Sequence, residues 1–207
     1  MAALPTSLFW ERRDHPGSEH ALVQQTGTGF LARGTALAVD PVAYTARYEL
    51  RTDAGWATTS LEVSSEGAGW RRTVKLEAGG GGWRVTTAEQ GDLDAALAAS
   101  GHAAAGMAGT ADPDRLIGAY DVDLTGSPLT NTLPVRRLGL LGAESGTAHR
   151  ISVAWVLLPS LEVIQADQIY TSLGDGKIRF ANETFSADLT VDDQGFITDY
   201  PGLAERR

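Results

Sequence analysis

The 207-residue chain has no cysteine, which excludes a disulfide framework and any thiolate metal site. It also lacks a long apolar run. The longest, Val153 to Leu158, falls far short of the ~20 residues of a membrane-spanning helix and suits a buried strand. Excess positive charge is missing too: 17 Lys and Arg against 26 Asp and Glu leave a formal net charge of −9, with a pI near 4.8. Non-specific nucleic-acid binding needs a basic face, and docking on an anionic membrane needs a basic patch, so neither partner is expected. The four histidines, His15, His20, His102 and His149, lie in or near turns without any metal-binding spacing. There is no Gly-x-Ser-x-Gly elbow and no P-loop, and Ser64, Ser65 and Ser127 have no evident His–Asp partner in the sequence. No metal and no cofactor are expected. The start of the chain, Met1 to Trp10, has neither a basic n-region nor an apolar h-region, so it does not read as a signal peptide and a cytoplasmic protein is expected.

What is present is ordinary for a soluble globular protein: 43% hydrophobic and 21% charged residues. The length fits one domain over residues 1–207, or a duplicated one, with enough chain to bury a substantial core. Strand signals dominate. Tyr44, Ala46, Tyr48 and Leu50 alternate on one face, as do Ile151, Val153, Trp155 and Leu157, and again Phe185, Ala187, Leu189 and Val191. Glu19 to Gln25, Gly29 to Val39, Trp56 to Val63, Glu162 to Leu173 and Lys177 to Asn182 read as further strands. Asp14-His15-Pro16-Gly17, Asp53-Ala54-Gly55 and Gly174-Asp175-Gly176 are turns. Trp70 to Glu77 and Trp83 to Thr87 form a hairpin across Gly79–Gly82, a glycine run without phosphate-binding spacing. Its pattern echoes Phe185 to Phe196, which would follow from a duplicated β-unit. The aromatics, among them Trp10, Trp70, Trp83 and Tyr170, are expected mostly in the core.

Residues 91–114 differ in kind, being rich in alanine and glycine and free of aromatics. Asp92 is placed to cap one short helix through about Ser100, with Gly101 ending it. The remainder reads as a flexible insertion or a lid over a site. No other stretch reads as helix.

The most informative stretch is Tyr120 to Leu140. Asp121 and Asp123 alternate with the apolar Val122 and Leu124, which reads as a strand with both carboxylates on one face, about 7 Å apart. Pro128 and Pro134 are expected to stop any helix, leaving a rigid polar loop, Thr130-Asn131-Thr132, before a strand bearing Arg136 and Arg137. In a strand one guanidinium would face inward, where it must be paired, with Asp121 or Asp123 the natural partner. Such a pair would be either a structural clamp or an anion or sugar-hydroxyl site. Asn131 and Thr132 suit sugar hydroxyls or cap a turn. Farther on, Gln168 and Tyr170 share one strand face.

The run Asp121-Val122-Asp123-Leu124, followed by Thr130-Asn131-Thr132-Leu133-Pro134-Val135-Arg136-Arg137-Leu138, resembles the signature of a bacterial family of glycolipid-binding proteins. Trp10, Glu19, Gly29, Tyr44, Tyr48, Trp56, Trp83, Pro159-Ser160-Leu161, Gln168-Ile169-Tyr170 and Asp199-Tyr200-Pro201 extend the resemblance over nearly the whole chain. It implies a mostly β, single-domain antiparallel spiral roll or half-barrel, similar in architecture to carriers that shuttle lipoproteins. It further implies a small amphipathic, glycolipid-like ligand and makes Gln168 and Tyr170 candidates for the cavity lining. The ligand-binding set expected on these grounds is Asp121, Asp123, Asn131, Thr132, Arg136, Arg137, Gln168 and Tyr170. Non-catalytic binding is the leading reading. The alternatives are an enzyme of glycolipid metabolism using Asp121 or Asp123 as acid/base and a scaffold that docks a partner protein through an exposed apolar patch.

Overall fold

Side-chain alternation along the first half of the chain builds seven strands, seen in a computed structural model that describes residues 6–207. Residues 1–5, where the stretch read for an export signal begins, lie outside the described residues. The strands are β1 (Ser7–Arg12), β2 (Gly17–Gln25), β3 (Phe30–Ala38), β4 (Tyr44–Thr52), β5 (Thr58–Gly67), β6 (Trp70–Gly79) and β7 (Gly82–Gly91). The second half supplies β8 (Asp121–Leu124), β9 (Ala148–Val156), β10 (Val163–Gly174), β11 (Lys177–Ala181), β12 (Ser186–Val191), β13 (Ile197–Tyr200) and β14 (Ala204–Arg206). All 14 join one sheet in the order β7-β6-β5-β4-β3-β2-β1-β14-β13-β12-β11-β10-β9-β8. The first and last strands therefore pair in its middle, Trp10 opposite Arg206.

The sheet coils until its ends approach. The Thr58 amide donates to the Tyr120 carbonyl at 2.9 Å, and the Trp83 indole N–H donates to the Ala119 carbonyl at 3.0 Å. The mostly β roll expected from the resemblance is thus what the chain forms. Its interior holds a core running from Trp10, Tyr48 and Leu61 across to Val122, Val156 and Phe196. Trp10, Tyr44, Tyr48, Trp56, Trp70, Trp83 and Tyr170 are all buried. Trp155 is not; it stands half-buried on the face opposite the core residues Ala154 and Val156.

The helix α1 (Leu93–Ala99) begins where expected, with the Asp92 carboxylate accepting from the Ala95 amide at 2.9 Å, and Gly101 follows its end at φ +81°. Leu93 and Leu97 pin it against Ala46 and Trp70.

The reading of Pro128 and Pro134 as helix-stoppers is overturned. Pro128–Arg137 is a second helix, α2, lodged inside the roll with every residue from Pro128 to Val135 buried. Pro128 takes the first helical position, where no amide partner is needed. Pro134 removes one intrahelical bond, and burial on all sides of the helix offsets that loss. A helix covered all round has no polar face to betray it in the sequence. It also makes the crossover between β8 and β9, which pair in parallel while every other strand pair among the described residues is antiparallel.

Candidate functional site

Strand β8 turns Asp121 and Asp123 to the face opposite the core residues Val122 and Leu124, as alternation requires, and Thr130 and Arg137 of α2 reach them there. Asp123 is held on both oxygens: Oδ1 accepts from the Thr130 hydroxyl at 2.8 Å and Oδ2 from the Gln168 amide at 2.7 Å. Behind Gln168, the Tyr170 hydroxyl donates to its Oε1 at 3.3 Å and accepts from the Asn131 amide at 2.8 Å. Donation therefore runs one way, Asn131 to Tyr170 to Gln168 to Asp123. The chain ends on the one group of the four that, when ionised, only accepts. Burial pushes the Asp123 carboxyl up, the Thr130 and Gln168 donors pull it back, and the charge of Asp121 adds to the rise.

This network forms the polar wall of a cleft of about 140 Å³, where Asp123, Ser127, Asn131 and Gln168 face inward. The rest of the lining is largely aromatic, with Trp155, Phe180, Phe185 and Tyr200, and Trp155 stands beside Asp123 as its cross-strand partner. Phe180 stacks edge-on against Tyr170 with centroids 5.4 Å apart and tilts against Phe185 and Tyr200 at 6.2 and 6.3 Å.

The other candidates lie away from the cleft. Asp121, fully buried, is clamped by Arg137: Nε lies 3.0 and 3.1 Å from its two oxygens and Nη2 2.5 Å from Oδ2. Burial pushes the Asp121 carboxyl up and the guanidinium pulls it back, while the pairing raises Arg137. Arg136 and Arg137 do not point to opposite sheet faces as a strand would dictate. On a helix they are only about 100° apart. Arg136 lies 4.6 Å above the Trp56 ring and donates to the Gln194 carbonyl at 2.9 Å. Trp56 itself sits in a turn at φ +70°, ahead of β5 rather than in it, which lays its ring on Phe30 at 4.8 Å. Thr132 is buried with no partner for its hydroxyl. The structure thus brings Asp123, Asn131 and Gln168 to one wall with Tyr170 behind them, and places Asp121, Thr132, Arg136 and Arg137 elsewhere.

Glu19 and Ser127, neither of them in the ligand-binding set expected from the sequence, meet at this site. Glu19 is buried. Its Oε1 accepts from Tyr48 and from Ser127, each at 2.5 Å, and its Oε2 has no hydrogen-bond partner. Tyr48 reaches it by lying across Gly34, where a Cβ would stand 2.1 Å from the ring. Burial pushes the Glu19 carboxyl up to about 6, against the pull of Ser127, Tyr48, the Leu129 amide and the Arg12 guanidinium. The signal was there: Glu19 is in phase with the inward-facing Ala21 and Val23, and a carboxylate on an apolar face needs a reason. Ser127 precedes α2 but spends its hydroxyl on Glu19 instead of capping the helix.

Among the described residues no group of three His, Cys, Asp or Glu is placed to hold a metal ion, and no helix is long and apolar enough to cross a membrane. Compared with known proteins, residues 7–206 match the model of a family described as "Putative glycolipid-binding". The crystal structure of a DUF1089 family protein from Pseudomonas aeruginosa superposes with a TM-score of 0.62 at 28% identity, covering 100% of this chain and 96% of that one. No curated protein matches.

Proposed function

The chain belongs to the family described as "Putative glycolipid-binding", and from that premise we propose that its cleft holds the polar head group of an amphipathic, glycolipid-like ligand. The observation that carries this reading is Asp123. Thr130 and Gln168 donate to separate oxygens and the Leu124 amide adds a third donor, which leaves one of the carboxylate's roughly four lone-pair sites for a ligand. A hydroxyl group of a sugar or polyol is a donor that such a fixed acceptor fits. The aromatic lining beside it supplies apolar faces for the ring's C–H surface.

Size narrows the ligand further. A volume of about 140 Å³ is the share of some four or five waters at ~30 Å³ each, below the ~300–1,000 Å³ of a pocket that engulfs a whole ligand. The cleft takes a head group and leaves the rest outside.

A binding role is further supported by the state of the two carboxylates. General acid–base work calls for a carboxylate whose proton is free to move. Asp121 is locked to Arg137, and Asp123 is already hydrogen-bonded on both oxygens.

The test is an NMR titration that follows the side-chain amide signals of Asn131 and Gln168 while methyl glycosides and glycerol are added. Saturable shifts of both amides support the reading. Amides that stay still with every such probe, while other signals move, would place the head group elsewhere.

A further inference from the structure

Asp121 and Asp123 share one face of β8, yet the chain supplies a cation to only one of them. Asp121 has the Arg137 guanidinium. Asp123 is given neutral donors alone: the Thr130 hydroxyl, the Gln168 amide and the Leu124 backbone amide. Three donors converging on one carboxyl favour its ionised form. Among charges, the one that bears on it is that of Asp121, of the same sign. A carboxylate so enclosed is ordinarily paired with a cation. Asp123 remains open only where it lines the cleft, so a counter-ion has to come from there.

The cleft itself has no Lys, Arg or His among its lining residues. Arg12 reaches the Gly126 carbonyl at 2.9 Å but is held by Asp14, and Arg136 lies over Trp56. What the cleft holds in their place is π surface. Phe180, Phe185 and Tyr200 stand at the corners of a nearly equilateral triangle, with centroids 6.2, 6.3 and 6.3 Å apart. Trp155 flanks Asp123 across the β8–β9 ladder. Aromatic faces carry negative potential and attract cations, so the lining and the carboxylate act with the same sign. A neutral hydroxyl gains little from that field, whereas an ammonium group gains from both parts of it. The Asn131 carboxamide spends its nitrogen on Tyr170 and leaves its oxygen as a further acceptor on the same wall.

We infer that the head group received by this cleft carries a protonated amine, seated between Asp123 and the aromatic lining as the counter-ion that the chain itself leaves out. The inference rests on the reading of the cleft as a head-group site and narrows its ligand to an amino sugar or an amino alcohol. The one lone-pair site open on Asp123 takes an N–H of the ammonium group. The carbons beside the nitrogen, which share its charge, lie against the rings. A volume of about 140 Å³ holds such a group and little more.

The test uses the whole chain and two pairs of probes, each pair differing only in the charged group: methyl glucosaminide with methyl glucoside, and ethanolamine with ethylene glycol. Dissociation constants are read from the side-chain amide signals of Asn131 and Gln168 near neutral pH. Salt at ~0.15 M screens the general attraction of the net charge of −9 for cations. In at least one pair the amine is expected to bind roughly tenfold more tightly than its neutral partner, the margin of a charge-assisted hydrogen bond over a neutral one. Which pair shows it separates an amino sugar from an amino alcohol. Asp123→Asn should bring the two members of that pair to equal affinity. Phe185→Leu, at a ring 45% exposed, keeps apolar bulk without the π face and should lower the preference severalfold even where the Asp123 variant fails to fold. Equal binding within both wild-type pairs, with the amides still shifted by methyl glucoside, would overturn the amine and leave the head-group reading intact. So would a preference kept in full by the variants that fold. No shift with any of the four probes would overturn both readings.

Discussion

The hydroxyl of Ser127, on the wall of the cleft, donates to the buried carboxylate of Glu19 at 2.5 Å across 108 residues of sequence. That bond ties β2, in the middle of the sheet, to the start of α2. A proton on Glu19 therefore bears on the stability of the element that carries Thr130 and Asn131.

The first prediction concerns pH. The Glu19 carboxyl rises from 4.5 to about 6 on folding. A raised folded-state value contributes stability that is fully present below the unfolded value and is lost as pH rises through the folded one. The loss falls between about pH 4.5 and 6 and amounts to ~2 kcal/mol. Melting temperature measured from pH 4.5 to 7 should carry a downward component of roughly 4–8 °C for a chain of this size. Glu19→Gln, which keeps an acceptor for Ser127 and Tyr48, should abolish that component. An unchanged profile in the variant would mean that Glu19 does not titrate in this range.

The two adjacent arginines should differ. Arg137→Ala leaves the Asp121 carboxylate buried without its partner and should cost about 3 kcal/mol, lowering the melting temperature by roughly 6–12 °C. Arg136→Ala removes one hydrogen bond and the contact over Trp56, about 1–2 kcal/mol in all. Thermal denaturation of the pair checks the order. Equal effects would contradict the clamp.

Tyr170→Phe removes the hydroxyl that links Asn131 to Gln168. Two buried polar groups then lose a partner, at ~1–3 kcal/mol. Stability should fall by that amount in chemical denaturation, and head-group affinity should fall with it, because Gln168 no longer holds Asp123 in place. A loss of stability with affinity unchanged would show that the network supports only the fold.

Trp155→Ala separates binding from folding. Trp155 is half-buried on the cleft, so its removal should change the melting temperature by only a few degrees. Affinity for a glycoside should drop roughly tenfold, the scale of one lost aromatic contact of ~1.5 kcal/mol. Full affinity in this variant would move the ring to another wall.

Much of the fold was legible because strand alternation is local. Tyr44 to Leu50 and Asp121 to Leu124 declared their inward faces from period two alone, and Asp92 declared its cap. The second helix was not legible. Pro134 argues against a helix wherever water is the alternative, and only the surrounding roll reverses that balance. The misreading of α2 as a loop and strand then misplaced Arg136, since helix and strand send neighbouring side chains in different directions. The split between Asp121 and Asp123 was equally hidden. Both stand on one strand face, and what separates a clamped carboxylate from a cleft-lining one is whether Arg137 or the Thr130 and Gln168 pair reaches it. Those contacts span 16 and 45 residues for Arg137 and Gln168 and leave no periodic trace.

The central claim is that Asp123 addresses the head group of an amphiphile. Its most direct test is native mass spectrometry of the wild type and Asp123→Asn, each incubated with octyl glucoside and with lipid extract from a bacterial host. Asparagine keeps the shape of the side chain but halves its acceptor oxygens, so the fold should survive. The account predicts one bound amphiphile per wild-type chain and loss of at least nine-tenths of it in the variant. Equal occupancy in the two proteins, or none in the wild type with either source, would contradict it.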